Sequence, residues 1–539
     1  MQEPAMKAKT LRAVFLLVPL LLAPRLLCGQ AQVGEVSFEN SGSAAAQKDF
    51  LHGLAQLHNF EYDFAAADFQ NAQKTDPDFV MAYWGEAMTH NHPIWMEQDA
   101  DAARAALKKL GPTSEARAAK AMTPREKAYL HAVEILYGDG EKFDRDFKYA
   151  EAMRSVHEAY PNDIEATCFY ALSLLGTAHN GRDIPTYMRA AGLLEDIFYA
   201  HPHHPGAAHY LIHSFDDPIH APLGLPAARA YSRIAPDAGH AQHMTSHIFL
   251  ALGMWDDVVT ANENAMAVVN RQRKAIGKPE GYCGHYNEWL QYAYLQQGRF
   301  AKAKKLTQSC RDQSANVPAS AHSHGLAPSF LAMQAQYLMD TKDWSGDVAS
   351  WTAPGELIVF SQFDSAYNTA YAAAQRGDLT KADSELLKLQ TLAPRVGAEY
   401  DSIGIAKDDP VRGSPQIEAD QIRALILAAG NKLDAAIELA RSAAKREEAL
   451  PFAFGPPSIP KPSHELLGEL LLKNKDLREA REAFTTSLSR TPRRTQSLLG
   501  LLQTQLALGE KDEAAKTEAA LREIRKVADS VNDASQNSR

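Results

Sequence analysis

One spacing recurs four times in this chain: an alanine, then a phenylalanine or leucine four residues on, then a proline eight residues further. The copies are Ala65/Phe69/Pro77, Ala190/Leu194/Pro202, Ala382/Leu386/Pro394 and Ala480/Phe484/Pro492. A small residue lets the two helices of a hairpin approach. The large apolar residue one turn later fills the space between them. Proline lacks an N–H and clashes with the preceding turn, so it is expected to end the second helix. Gly53 lies upstream of Ala65, and Leu467-Gly468 upstream of Ala480, at the distance of a first helix. Gly500 follows Gly468 by about one repeat length. At 539 residues the chain exceeds what one compact core usually holds, which favours a repeat array. Alanine and leucine are abundant and long Val/Ile/Thr runs scarce, which favours helices over sheets.

This pattern resembles the tetratricopeptide family. The resemblance implies an all-α fold, a tetratricopeptide-like superhelix or α-solenoid of antiparallel helical hairpins, over most of residues 44–525. Three stacked blocks are expected: 44–345, 355–450 and a C-terminal pair at 461–525. Residues 95–145 fit the repeat poorly and are expected to hold extra helices. Residues 313–327 and 400–416 are polar with Gly and Pro and read as loops. Residues 451–462, PFAFGPPSIPKP, form a Pro-rich connection, and the polar tail 526–539 is expected to fray.

Residues 1–31 read as a secretory signal: Lys7, Lys9 and Arg12, then an apolar run from Ala13 to Ala23, then the small residues of Gly29-Gln30-Ala31. The run is short and broken by Pro19 and Pro24, so cleavage after Ala31 is expected, giving a periplasmic or secreted protein with no membrane span. The formal charge is −10, and the leader carries four basic residues against Glu3, so the rest is more acidic still. That argues against a nucleic-acid partner. Beyond the leader stand Cys168, Cys283 and Cys310, too few for a disulfide framework. Cys283 and Cys310 fall at helix ends that meet in a hairpin. A disulfide and a pair of buried thiols are both open.

Nine of the 20 histidines lie between His201 and His247. His209, His213 and Asp216 share one helix face at i, i+4, i+7, within about 60° of arc. His240, His243 and His247 share another at i, i+3, i+7. His285 and Glu288 follow on a third predicted helix. The tetratricopeptide resemblance places all eight residues on the concave groove. Imidazole is the commonest ligand of zinc, iron and copper, and two stripes on adjacent helices can meet. Asp217 and His220 are candidates to support such ligands. The HPHHP turn, 201–205, is expected to be solvated. Trp84, Trp95, Trp255 and Trp289 read as core, and Cys168 as buried packing rather than a further ligand. The segments AHYLIHSFDDP and HAQHMTSHIFLALGMW look like those of a group of exported bacterial tetratricopeptide proteins with a His-rich central block (205–298).

No Gly-x-Ser-x-Gly elbow, P-loop, His-Glu-x-x-His or Cys-x-x-Cys occurs. His209 and His213 have the spacing of a zincin pair, but Tyr210 stands where the general base would be. The first reading is therefore an exported scaffold that binds a peptide or protein partner in its groove, pH-sensitively through its imidazoles. The alternative is a metal-binding protein or metalloenzyme with a divalent transition metal (Zn, Fe or Cu) between the 206–216 and 240–252 helices. Its ligands would be drawn from His209, His213, Asp216, His240, His243 and His247. Such an enzyme would be an oxidoreductase or hydrolase; a metal store is a third reading.

Overall fold

The computed structural model describes residues 30–317, 325–402 and 410–529. Contacts divide the chain into Met1–Ala31 and Gln32–Arg539. Nearly all of the expected leader lies outside the described residues, as do residues 318–324 and 403–409 of the two expected loops and the tail from residue 530.

Among the described residues there are 24 α-helices, all within the second unit and most of them in antiparallel pairs, and one two-stranded sheet of two residues a strand. The expected hairpins are present: Gln47–His58 with Tyr62–Thr75, Pro205–Ser214 with Ala221–Ile234, Gly239–Ala251 with Trp255–Ala275, His285–Gln296 with Phe300–Ser314, and Ser463–Asn474 with Leu477–Arg490. The chain is an all-α, tetratricopeptide-like solenoid. The region that fits the repeat poorly holds three additional helices, Ala100–Leu110, Ser114–Lys120 and Pro124–Leu136, with the sheet pairing Asn91 to Gln98 just before them. No helix among the described residues is long and apolar enough to cross a membrane.

The recurring residues act as their sizes require. Phe484 is fully buried, and a Cβ on Gly468 would lie 2.8 Å from its ring. A Cβ on Gly500, in the first helix of the next repeat, would collide with the same ring from the other side. Phe69 sits likewise between Gly53 and Gly85. One large side chain is thus clamped between two glycines of successive first helices, and this sets the spacing of the stack.

Three of the four prolines stand two residues past a helix end: helices finish at Thr75, Ala200 and Arg490. Pro394 departs from the expectation and lies inside Leu379–Ser402. The apolar stripe continues through it, with Leu389, Leu392 and Val396 all buried. Burial of that stripe outweighs the one backbone hydrogen bond a proline removes.

Inner and outer helices differ. Every residue of Pro205–Ser214 is buried, and so are all but one of Gly239–Ala251, whereas Tyr62–Thr75 buries only a stripe. Cys283 and Cys310 are joined in a disulfide that ties the start of one helix to the end of the next. Cys168 is buried and free.

The C-terminal helices return to the central repeats. Arg494, fully buried, pairs with Asp340 at 2.8 Å and Glu465 at 2.9 Å and donates to the Tyr292 hydroxyl. Thr495 donates its backbone N–H to the Gln296 side chain. The expected fraying does not begin at Lys526. The backbone N–H of Asp529 donates to the Gly298 carbonyl, and its carboxylate accepts from the Ala301 N–H, capping the helix that starts at Phe300. A carboxylate at a helix N-terminus is held by unpaired N–H groups and the helix dipole.

Two glycine substitutions of opposite sign test the packing. Gly500→Ala forces a methyl into the clamped Phe484 ring and is expected to destabilise by about 1–3 kcal/mol. Gly192→Ala, at an exposed helix position with nothing within 4 Å, is expected to stabilise by about 0.5–1 kcal/mol. Urea unfolding of both, at unchanged helicity, is the check.

Candidate metal centre

The two histidine stripes face each other, and they group across the helices rather than along them. His209 and His213 of Pro205–Ser214 meet His240 of Gly239–Ala251. His243 and His247, further along that second helix, meet His285 of His285–Gln296. Within each triad one nitrogen per ring lies within 4.8 Å of the others. His240 and His285 stand at the starts of their helices and lie against the middle and later turns of the helix before. Five of the six histidines are buried, none more than 7 % exposed, and His285 is exposed at the rim.

The Nε2 atoms converge. His209 Nε2 lies 3.1 Å from that of His213 and 3.2 Å from that of His240, and those of His243 and His247 are 3.3 Å apart. Three of the Nδ1 atoms point outward to partners. His209 Nδ1 faces the His58 carbonyl at 2.7 Å, His243 Nδ1 the Asn262 Oδ1 at 2.7 Å, and His247 Nδ1 the Asp216 carboxylate at 2.5 Å. Asn262 donates its own amide to the Val258 carbonyl, which fixes its oxygen toward His243.

All three partners only accept, so each of these Nδ1 atoms carries the proton and donates it. A neutral ring with its proton on Nδ1 has a bare lone pair on Nε2. His243 therefore turns a lone pair toward the Nε2 of His247 in a buried place. Burial and the neighbouring imidazoles His285 and His247 hold His243 well below the ordinary histidine range. Burial likewise pushes His209 down to about 3. A cation is what such an arrangement accepts: Nε2 atoms inward, Nδ1–H groups tied back to oxygen.

Aromatic rings wall the site. Phe60 meets His209 edge-on at 4.3 Å, Tyr286 stacks on His243 at 4.4 Å, and Trp289 lies against His247 at 4.3 Å. Phe60 holds a left-handed backbone, φ 58°, an uncommon conformation for a bulky residue. Gly455 of the Pro-rich connection, at φ +122°, packs where any Cβ would collide with Trp289. The connection thus braces the second triad. Trp84, Trp255 and Trp289 are buried as expected, but Trp95 is 45 % exposed, because it ends the short turn Pro93–Trp95 at the rim beside His240.

Asp216 stands behind His247 and outside both triads. Asp217 accepts from His220 and pairs with Arg182, so it braces the loop rather than a ligand. Glu288 is in neither triad; burial pushes its carboxyl up.

A third cluster was not foreseen: His58, Glu165 and His204, all buried. It differs in its protons. His204 Nδ1 accepts the Ala207 N–H, leaving Nε2–H to donate to Glu165 at 3.1 Å. His58 donates from Nε2 to the other carboxylate oxygen at 2.6 Å and faces the Tyr210 hydroxyl with Nδ1. Every nitrogen is satisfied without an ion, and the cluster holds in place the His58 carbonyl that orients His209. The one available sequence signal was His204 immediately before a helix-opening proline, an N-cap position. His201 and His203 of the same turn are exposed, as expected.

No protein family matches the chain, and no curated protein does. Solved helical-repeat proteins do. The human IFIT1 dimer with PPP-AAAA shares 14 % identity over 91 % of this chain and 97 % of that one, TM-score 0.37. Yeast Tom70 shares 13 % over 92 % and 94 %, TM-score 0.26. The APC/C hetero-tetramer Cut9–Hcn1 shares 12 % over 87 % and 78 %, TM-score 0.33. With scores this low, the fold assignment rests on the chain's own helix pairing.

Burial raises the Glu165 pKa, but His204 and His58 outweigh that and hold it well below the ordinary carboxylate value of 4.5. A depressed carboxylate stabilises the fold fully above its unfolded pKa and loses that contribution as pH falls below it. Glu165→Gln is expected to destabilise by about 2–3 kcal/mol at pH 7. Its stability should also fall less than that of the parent between pH 5 and 3, read by denaturant unfolding across that window.

Proposed function

We propose that this protein binds transition-metal ions through two histidine triads, His209/His213/His240 and His243/His247/His285, carried on a tetratricopeptide-like scaffold. The observation that carries the reading is the His243–His247 pair, whose Nδ1 protons are committed to Asn262 and Asp216 and whose Nε2 atoms face each other at 3.3 Å. Neutral imidazoles with tied-back Nδ1–H groups are how proteins present nitrogen to zinc, iron or copper. Asp216 orients a ligand in this reading rather than serving as one. A peptide lying on these imidazoles is the weaker reading, since five of the six are buried. A protein partner would use other surfaces of the scaffold.

The protein is proposed to work in the periplasm or outside the cell. The signal-like residues 1–31 and the Cys283–Cys310 disulfide support an oxidising compartment. The mature chain is expected to begin at Gln32, which N-terminal sequencing of the exported protein reads directly.

Metal content is the deciding measurement, on protein expressed with its own leader and purified without a histidine tag or chelators. Near-stoichiometric metal is expected, and the His213→Ala/His243→Ala double variant should lose it while keeping its helicity. A parent that takes up neither zinc, iron nor copper on incubation would sink the proposal.

A further inference from the structure

The two triads are neighbours. His213 of the first and His247 of the second have ring centroids 6.0 Å apart, and His240 and His243 stand 6.3 Å apart on one helix. Ions held by the two sets of nitrogens would sit side by side, each with three imidazoles and an open position, close enough to share one bridging ligand. We infer, resting on the metal reading above, that the triads form a single dinuclear copper centre that takes up dioxygen between two copper(I) ions.

Charge selects the metal. All six donors are imidazoles, and no carboxylate belongs to either triad. The nearest acids are spoken for. Asp216 is bonded to His247, and Glu61 accepts from the His240 backbone N–H. Arg182, near His213, is paired with Asp217. Two divalent ions would bring four positive charges into a site walled by Phe60, Tyr286 and Trp289, and uncompensated buried charge is expensive. Carboxylate-free nitrogen ligation also disfavours magnesium, calcium and manganese, while imidazole suits copper. Two copper(I) ions bring two charges.

The electron count then fits one ligand. Each copper(I) gives one electron and becomes copper(II), and dioxygen gains both to become a peroxide dianion bridging the ions. Four positive charges and two negative leave the net charge of the centre where it began. No proton has to move, so the committed Nδ1–H groups keep their partners throughout. A diatomic molecule has a short way in, because His285 and Trp95 are both exposed at the rim.

The test is an anaerobic titration of the metal-free protein with copper(I), followed by air. The expected result is two copper ions per chain and uptake of one dioxygen for each pair. The oxidised centre should give almost no electron paramagnetic resonance signal, because the two copper(II) spins couple through the bridge. His285→Ala, at an exposed position that leaves the fold alone, is expected to hold one ion fewer and to show after oxidation the signal of an isolated copper(II). Two ions that oxidise to two independent signals, or that take up no dioxygen, would overturn the dinuclear centre. Zinc displacing copper from both sites in direct competition would overturn the choice of metal. Absence of any metal binding would overturn the reading beneath it.

Discussion

A buried imidazole has two nitrogens to place, and in this protein that requirement organises the interior. Unpaired polar atoms away from water are costly, so each ring must find a partner at both ends or leave a lone pair for something else. At the His58/Glu165/His204 cluster both ends are paired within the protein. At the two triads the Nδ1 ends of His209, His243 and His247 are paired, and the Nε2 ends of His209, His213 and His240, and of His243 and His247, converge. The contrast is drawn by the residues behind the rings. A carboxylate between two histidines closes the first cluster, whereas a carbonyl, an amide oxygen and a carboxylate standing outside the triads leave theirs open.

The scaffold makes this possible because its inner helices are buried on every side. In an open repeat array the first helices line a groove. Here Pro205–Ser214 and Gly239–Ala251 are enclosed, by Phe60 and the turn at Trp95 on one flank and by the Pro-rich connection against Trp289 on the other. The return of the C-terminal helices, fixed by the buried Arg494 between Asp340 and Glu465, holds together the end of the stack from which that connection comes. Such a pair adds less net stability than its charges suggest, but breaking it strands a charge, so it specifies one arrangement.

Much of this was legible along the chain. The spacing of Ala480, Phe484 and Pro492 located a helical hairpin, and Gly468 and Gly500 marked the two contacts that clamp Phe484. The stripes of His209/His213 and His240/His243/His247 were visible from helical period alone. Pro394 misled because its local rule yields to a buried apolar stripe on the same helix. Asp216 shares a face with His209 and His213, yet it serves His247 on the next helix. No spacing within one helix reveals that partner.

The sequence by itself determined the repeat, the hairpins and the histidine faces, because these follow from side-chain size and from a period of 3.6 residues, both local properties. Only the tertiary structure decided how the histidines group. His240 leaves its own stripe for His209 and His213, and His285 completes the set begun by His243 and His247. His58 finds Glu165 across 107 residues of chain. Those partnerships depend on the stagger between successive helices and on which oxygen stands behind each ring. These relations are set by packing between layers and do not repeat with the sequence.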